Sequence, residues 1–194
     1  MPLDPSTVLA LAASCAAHVA PDTMLAVSRV ESGLDPLVIG VNGARPQRIS
    51  STSAAAAVVT AERLIATGRN IDLGLAQINV RNLAPLGLSV ADAFDPCRNL
   101  AASARLLRAG WTRAAAGPVD PIAAMTATLS LYNTGTIGRG VSNGYVAKVV
   151  AAAGQTEPRR PPPPPPPARP AWQVFAAAPA PGRFVLAPIP GAVQ

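Results

Sequence analysis

Seven consecutive prolines, Pro161 to Pro167, set the firmest limit on what this chain can fold into. Proline has no N–H to donate, and it pushes the residue before it out of helical space. The run is therefore expected to adopt polyproline II, a semi-rigid spacer of roughly 20 Å at about 3.1 Å per residue. Thirteen of the 22 prolines lie among the last 40 residues, from Gln155 onward. A packed core must come from residues 1–154, which suffice for one domain without obligatory disulfides. The Pro-rich tail, 155–194, is expected to be disordered. Its alternative reading is a docking segment for another protein, carried by Trp172, Phe175, Phe184, Val185 and Ile189.

Within 1–154 the core is short of large rings. Aromatic residues make up only 4% of the chain against 49% hydrophobic residues. Ala, Val, Leu and Ile must fill the interior, which favours packed helices. Asp-Pro recurs at 4–5, 95–96 and 120–121, each time before a run of helical period. An aspartate can accept from the free N–H groups of a first turn, and proline loses nothing there. Helices are expected from Pro5 to His18, from after Asp22 to Ser32-Gly33, and from Ser53 to Thr67. A helix from Pro96, with Leu100, Ala104, Leu107 and Trp111 on one stripe, should stop at Gly117. Another runs from Ile122 to Tyr132, with Ile122, Met125, Leu129 and Tyr132 on one face, and a last from Tyr145 to Ala153. Residues 34–50 read as a loop or small hairpin through Val38–Val41 and Ile49. Short helices are expected after Asn79 and Ser89, and a flexible loop at Gly135–Gly140. The fold class is mainly α, an α+β domain with a small hairpin region.

Charge and rare residues exclude several functions. Residues 1–154 carry 12 basic and 9 acidic side chains and the tail 4 and 1, so each part contributes +3 to a net charge of +6. That balance suits an anionic partner. No arginine cluster is interleaved with aromatics in the domain, which argues against nucleic acid. His18 is the only histidine, so a zinc site and a Ser-His-Asp triad are both disfavoured, and no cofactor is expected. Cys15 and Cys97 are either two free thiols or one disulfide closing a long loop. Val8–Cys15 resembles a secretory hydrophobic segment, but Asp4 rather than a cation precedes it, so it reads as the first helix of the domain. No stretch is long enough for a membrane span.

Three short motifs carry chemistry. Met24, Val27 and Glu31 stand at i, i+3 and i+7, so the Glu31 carboxyl shares a stripe with apolar side chains. Burial disfavours the charged form and raises the pKa, as a general acid at neutral pH requires. Equally, a glutamate at a helix end can simply reach solvent. Gly74-Leu75-Ala76-Gln77-Ile78-Asn79 combines a glycine that admits close approach with two neutral amides suited to sugar hydroxyl and acetamido groups. It also reads as an ordinary turn before a helix. Leu131-Tyr132-Asn133-Thr134-Gly135 ends a helix beside a glycine loop, where Tyr132 could be core and Asn133 a cap.

In this order the motifs resemble the soluble lytic transglycosylase family, whose members have a lysozyme-like fold, a catalytic Glu-Ser, a Gly-Leu-Met-Gln-type motif and an Ala-Tyr-Asn-type motif. The transglycosylases that accompany type IV secretion systems are the nearer likeness. It rests on Val30-Glu31-Ser32-Gly33-Leu34-Asp35-Pro36, Ile39-Gly40-Val41-Asn42, Asp72–Asn79 and Phe94-Asp95-Pro96-Cys97, and covers about residues 5–153. The resemblance implies that Glu31 protonates the bond between N-acetylmuramic acid and N-acetylglucosamine in peptidoglycan, then acts as base while a 1,6-anhydro ring closes. It implies Ser32 as support, Gly74, Leu75, Gln77 and Asn79 lining the glycan groove, and Tyr132 with Asn133 orienting Glu31 or the sugar. It also implies a Cys15–Cys97 disulfide, a periplasmic location and secretion-system partners for the tail, while the Pro-rich C-terminus and the missing classical signal peptide depart from what an exported enzyme should show. Ala76 stands where the family usually has Met, which predicts a weaker apolar contact with the sugar. Two alternatives follow: a muramidase with Asp72 or Asp35 as second carboxylate, 5–9.5 Å away on the general rule for such pairs, and a non-catalytic glycan-binding protein that works through its tail.

Overall fold

A computed structural model of the chain describes residues 1–116 and 120–155. The polyproline run, the tail residues read as a possible docking segment and the helix stop at Gly117 fall outside them. Eight helices and four strands are described: α1 (Pro5–Cys15), α2 (Pro21–Ser32), β1 (Val38–Val41), β2 (Gln47–Ser50), α3 (Ala54–Ala66), β3 (Ile71–Leu73), β4 (Ile78–Asn79), α4 (Leu83–Leu86), α5 (Pro96–Ala114), α6 (Pro121–Thr134), α7 (Arg139–Ser142) and α8 (Tyr145–Ala153). The domain is mainly helical with a small antiparallel sheet, as expected. No helix among the described residues is long and apolar enough to cross a membrane.

Asp95 and Asp120 cap α5 and α6, accepting from the N–H groups of Arg98 and Ala123 at 2.8 and 3.0 Å. Asp4 differs: proline follows it at the first helical position, but its exposed carboxylate makes no capping bond. Helix α1 stops at Cys15 rather than His18. Pro21 opens α2 and forces Ala20 into an extended backbone, so the chain must leave the helix earlier to turn. Gly33, left-handed at φ 64°, closes α2.

The expected hairpin is β1–β2, but β3 and β4 were not legible; together the strands form one sheet in the order β2-β1-β3-β4. Strands of two or three residues are too short to show a period. Register matters more than size here. Arg48, Gly40, Asp72 and Asn79 lie in one cross-strand row. Because side chains alternate faces, the neighbouring row of Ile39, Leu73 and Ile78 turns inward, where all three are buried.

Two apolar clusters result. One packs the sheet against Ala57 and Ala61 of α3 and against Phe94. The other joins α1, α2, α5, α6 and α8 through residues such as Val8, Met24, Leu100, Leu129 and Val146. Leu75, from the β3–β4 turn, belongs to the helical cluster and so ties the two together. Trp111, Ile122 and Met125 do not join the core: they are 38, 77 and 40% exposed. Helix α5 meets α6 closely at Gly110, where an added Cβ would sit 3.5 Å from Thr128. The buried residues of α6 are Ala124, Thr128, Leu129, Ser130 and Leu131, so of its expected apolar face Leu129 is buried while Ile122 and Met125 turn outward. The Gly135–Gly140 loop is fastened rather than loose, since the Ser130 hydroxyl donates to the Thr136 carbonyl and accepts from the Gly140 N–H, both at 2.7 Å.

A disulfide joins Cys15 at the end of α1 to Cys97 in the first turn of α5, across a sequence separation of 82 residues. Closing a loop of that length removes about 4.5 kcal/mol of denatured-state entropy, of which native strain and residual structure commonly leave less. Replacing both cysteines by serine is expected to lower stability in urea unfolding by about 3–4 kcal/mol; a loss below about 1 kcal/mol would show that the bond contributes little.

Candidate active site

A cleft of about 830 Å³ lies between the sheet and the α5–α7 side of the helical cluster, with Glu31, Asp72, Gln77, Asn79, Tyr132 and Asn133 in its lining. Glu31 stands in the last turn of α2. Met24 and Val27 of its stripe are fully buried. The side chain itself keeps a partial opening to the cleft within mostly protein surroundings. Its carboxyl accepts a 2.6 Å hydrogen bond from the Tyr145 hydroxyl. The guanidinium of Arg48 donates to the Glu31 backbone carbonyl, a cation at the negative end of the helix.

These surroundings set the proton affinity of Glu31. Burial pushes its pKa up from an ordinary 4.5 to about 7, and the negative charge of Asp72 adds to the rise, while the Tyr145 bond and the Arg48 charge pull the other way. Near neutrality the group is thus able both to give a proton and to take one back. Asp72 is differently held. Burial raises its pKa, but Asn42 and Asn79 each donate to one of its oxygens at 2.7 Å and favour the anion. The other candidate second carboxylate, Asp35, is not in the cleft; its carboxylate accepts from the Leu37 N–H and pairs with the Met1 amino group.

The Gly74–Gln77 turn that carries the amide side chains is built on backbone constraints. Gly74 is left-handed at φ 75°, and a Cβ there would stand 2.1 Å from the Ala93 carbonyl. Gln77 is also left-handed, at φ 51°; such a conformation is uncommon outside glycine and persists where surroundings enforce it. Its side-chain amide donates to the carbonyls of Gly74 and Val38 at 2.8 and 3.1 Å, leaving its oxygen over Gly40. A side chain at Gly40 would strike that oxygen at 2.6 Å. Asn99, fully buried on α5, accepts from the Ala76 N–H and donates to the carbonyls of Leu73 and Ala93, at 2.7–2.9 Å.

The residues picked from the sequence divide into two sets. Glu31, Gln77, Asn79, Tyr132 and Asn133 line the cleft. Ser32, Gly74 and Leu75 do not: the Ser32 hydroxyl bonds back to the Ser28 carbonyl at 3.1 Å, and Leu75 is wholly buried. Ala76 is also wholly buried, so in this arrangement its side chain does not contact a ligand in the cleft. Tyr132 makes no hydrogen bond to Glu31. Its hydroxyl donates to the Ala76 carbonyl at 2.7 Å and receives a bond from Ser103. Asn133 accepts from Asn143 at 2.9 Å. Tyr145, Asn42, Arg48 and Asn99 were not anticipated. Scarcity was the one available signal: the chain has two tyrosines, and both stand at this site.

Opposite pKa shifts are expected from two substitutions. Tyr145→Phe removes a bond that favours the Glu31 anion and should move its titration above 7; Asp72→Asn removes a repelling charge and should move it below 7. Carboxyl NMR titration measures both, and shifts in the same direction would refute this electrostatic picture. A stability change follows as well. The folded state holds the Glu31 proton between 4.5 and about 7, so its penalty is absent below 4.5 and complete, at roughly 3 kcal/mol, above 7. Glu31→Gln should therefore stabilise the protein more at pH 8 than at pH 4.5, by up to about 3 kcal/mol in urea unfolding. Equal effects at the two pH values would contradict the raised pKa.

The chain matches the Transglycosylase SLT domain over residues 9–147. It is 42% identical over 154 residues to a protein named "Type IV secretion system protein virB1" of Brucella abortus, covering 76% of this chain and 64% of that one. To "Protein virB1" of Agrobacterium fabrum it is 40% identical over 149 residues, covering 76% and 59%. It thus spans less than two thirds of the length of these relatives. No solved structure matches it at a significant level. With the family profile covering most of the chain and the cleft holding its ordered motifs, this chain belongs to the SLT transglycosylase family.

Proposed function

We propose that the protein is a peptidoglycan lytic transglycosylase that cleaves the β-1,4 bond between N-acetylmuramic acid and N-acetylglucosamine. The observation that carries this reading is the Glu31 carboxyl, held near pKa 7 in a cleft that it shares with the amides of Gln77, Asn79 and Asn133 and with the doubly hydrogen-bonded Asp72. Protonated Glu31 gives its proton to the glycosidic oxygen as the C1–O bond breaks. The acetamido oxygen of the muramic acid ring shares the positive charge left on C1. The carboxylate of Glu31 then takes the proton of the 6-hydroxyl as that oxygen bonds to C1. The 1,6-anhydro ring closes, Glu31 is again protonated, and no water is consumed. Tyr145 holds the Glu31 carboxyl in place throughout. Gln77, Asn79 and Asn133 face hydroxyl and acetamido groups, while Ser32, Gly74 and Leu75 act from behind the cleft by fixing the segments that bear these side chains. The similar Brucella abortus protein is named for type IV secretion, so the reaction would open the wall locally for such an apparatus in the periplasm, with the tail as the segment that meets its components.

A hydrolytic reading rests on Asp72, which shares the cleft and could activate water. Both of its oxygens already accept from asparagine, which favours an electrostatic role over that of a base. Mass spectrometry of digested peptidoglycan separates the two. Anhydro-muramyl products, lighter by one water than reducing-end products, are expected; reducing ends alone would establish a hydrolase. Glu31→Gln should lower turnover by about 10²–10⁴-fold while binding to sacculi persists, and a loss under about threefold would remove Glu31 from the mechanism. In the native enzyme, activity should fall as pH rises above about 7, because the donor proton is lost there.

A further inference from the structure

The cleft contains three arginines that the proposed reaction does not use. Arg113 lies on the stripe Leu106, Ala109, Gly110 and Arg113 of α5, Arg81 follows β4 directly, and Arg139 opens α7. All three are exposed. The ion pairs among the described residues are Met1–Asp35 and Arg98–Asp92, so none of the three is neutralised by a carboxylate of the domain. The acidic groups that share the cleft are Glu31, bonded to Tyr145, and Asp72, held between Asn42 and Asn79. Three uncompensated guanidinium groups on separate elements around one cleft point to a ligand with several negative charges spread along it. A glycan ring does not meet this need, because its hydroxyl and acetamido groups are neutral. The short peptide stems borne by muramic acid do, since each carries free carboxylates.

We infer that Arg81, Arg113 and Arg139 form a binding site for the carboxylates of peptide stems, so that the enzyme prefers glycan strands with acidic stems. The inference rests on the reading of peptidoglycan as substrate. Arginine matches a carboxylate with paired donors, and exposed pairs of this kind are individually weak. Three together are expected to give a preference of about tenfold at low salt that fades as salt is added.

Binding tests this separately from catalysis. The Glu31→Gln protein is titrated against soluble strands in two forms: native, and with the stem carboxylates converted to amides by carbodiimide and ammonia. The native form is expected to bind about tenfold more tightly. Adding Arg81→Gln, Arg113→Gln and Arg139→Gln should bring the ratio close to one. The same charge change made elsewhere, with Arg63→Gln, Arg69→Gln and Arg108→Gln, should leave the preference in place. Because each ratio is taken within one protein, a general loss of affinity does not imitate the result. Equal binding of the two strand forms by the protein with all its arginines overturns the inference, and so does a preference that survives in the cleft triple variant or disappears equally in the control. Absence of cleavage by the native enzyme would count against the proposed reaction and leave this binding ratio as an independent result.

Discussion

A single buried amide organises the site. Asn99 is fully enclosed on α5, and all of its hydrogen-bonding reach goes to main chain: the Ala76 N–H and the carbonyls of Leu73 and Ala93. An enclosed amide left unmatched costs about 1–3 kcal/mol, so these bonds hold one another in register. They join a helix, the end of β3 and the segment before α5. With the turn so placed, Gly74 enters against the Ala93 carbonyl, Gln77 accepts a left-handed backbone, and Tyr132 finds the Ala76 carbonyl as partner. The sheet row that displays Asp72 and Asn79 to the cleft follows from the same anchoring.

Against that frame Glu31 meets two opposed effects. Burial and Asp72 favour the acid, while Tyr145 and Arg48 favour the anion. Desolvation prevails, but the opposition keeps the result near neutrality. A more enclosed carboxyl would hold its proton too firmly to give it up readily, and a wetter one would have none to give. Asp72 is the other half of the balance: its asparagine partners keep a negative charge in an otherwise poorly hydrated place, where it acts on Glu31 from across the cleft.

Much of this was legible beforehand and some was not, for physical reasons. The helices from Pro5, Pro96 and Pro121 announce themselves because proline and aspartate act locally. The stripe Met24, Val27, Glu31 also survives folding, because α2 is packed along that face. Trp111, Ile122 and Met125 kept the right period but lost their burial, since which stripe of a helix turns inward is set by where the partner helix packs, which periodicity does not report. Strands β3 and β4 were missed because two or three residues carry no pattern. Tyr145 was missed because nothing near it in sequence says that a side chain 114 positions away will need a donor. Long-range partners of this kind come from topology, and single-chain reading reaches them only through motif order.

The disulfide divides the active site in an unexpected way. Glu31, Asp72, Gln77 and Asn79 all lie between Cys15 and Cys97, inside one covalent ring, whereas Tyr132 and Tyr145 reach that ring from outside it. Glu31 thus sits inside the ring and the tyrosine that bonds it beyond the ring, held there by the packing of α8 and by the hydrogen bond between them. Should the closing helix α8 come away, water would return to Glu31 and its proton affinity would drop toward that of a free glutamate. A partly opened molecule at neutral pH would then already have surrendered the proton that the closed form keeps on Glu31.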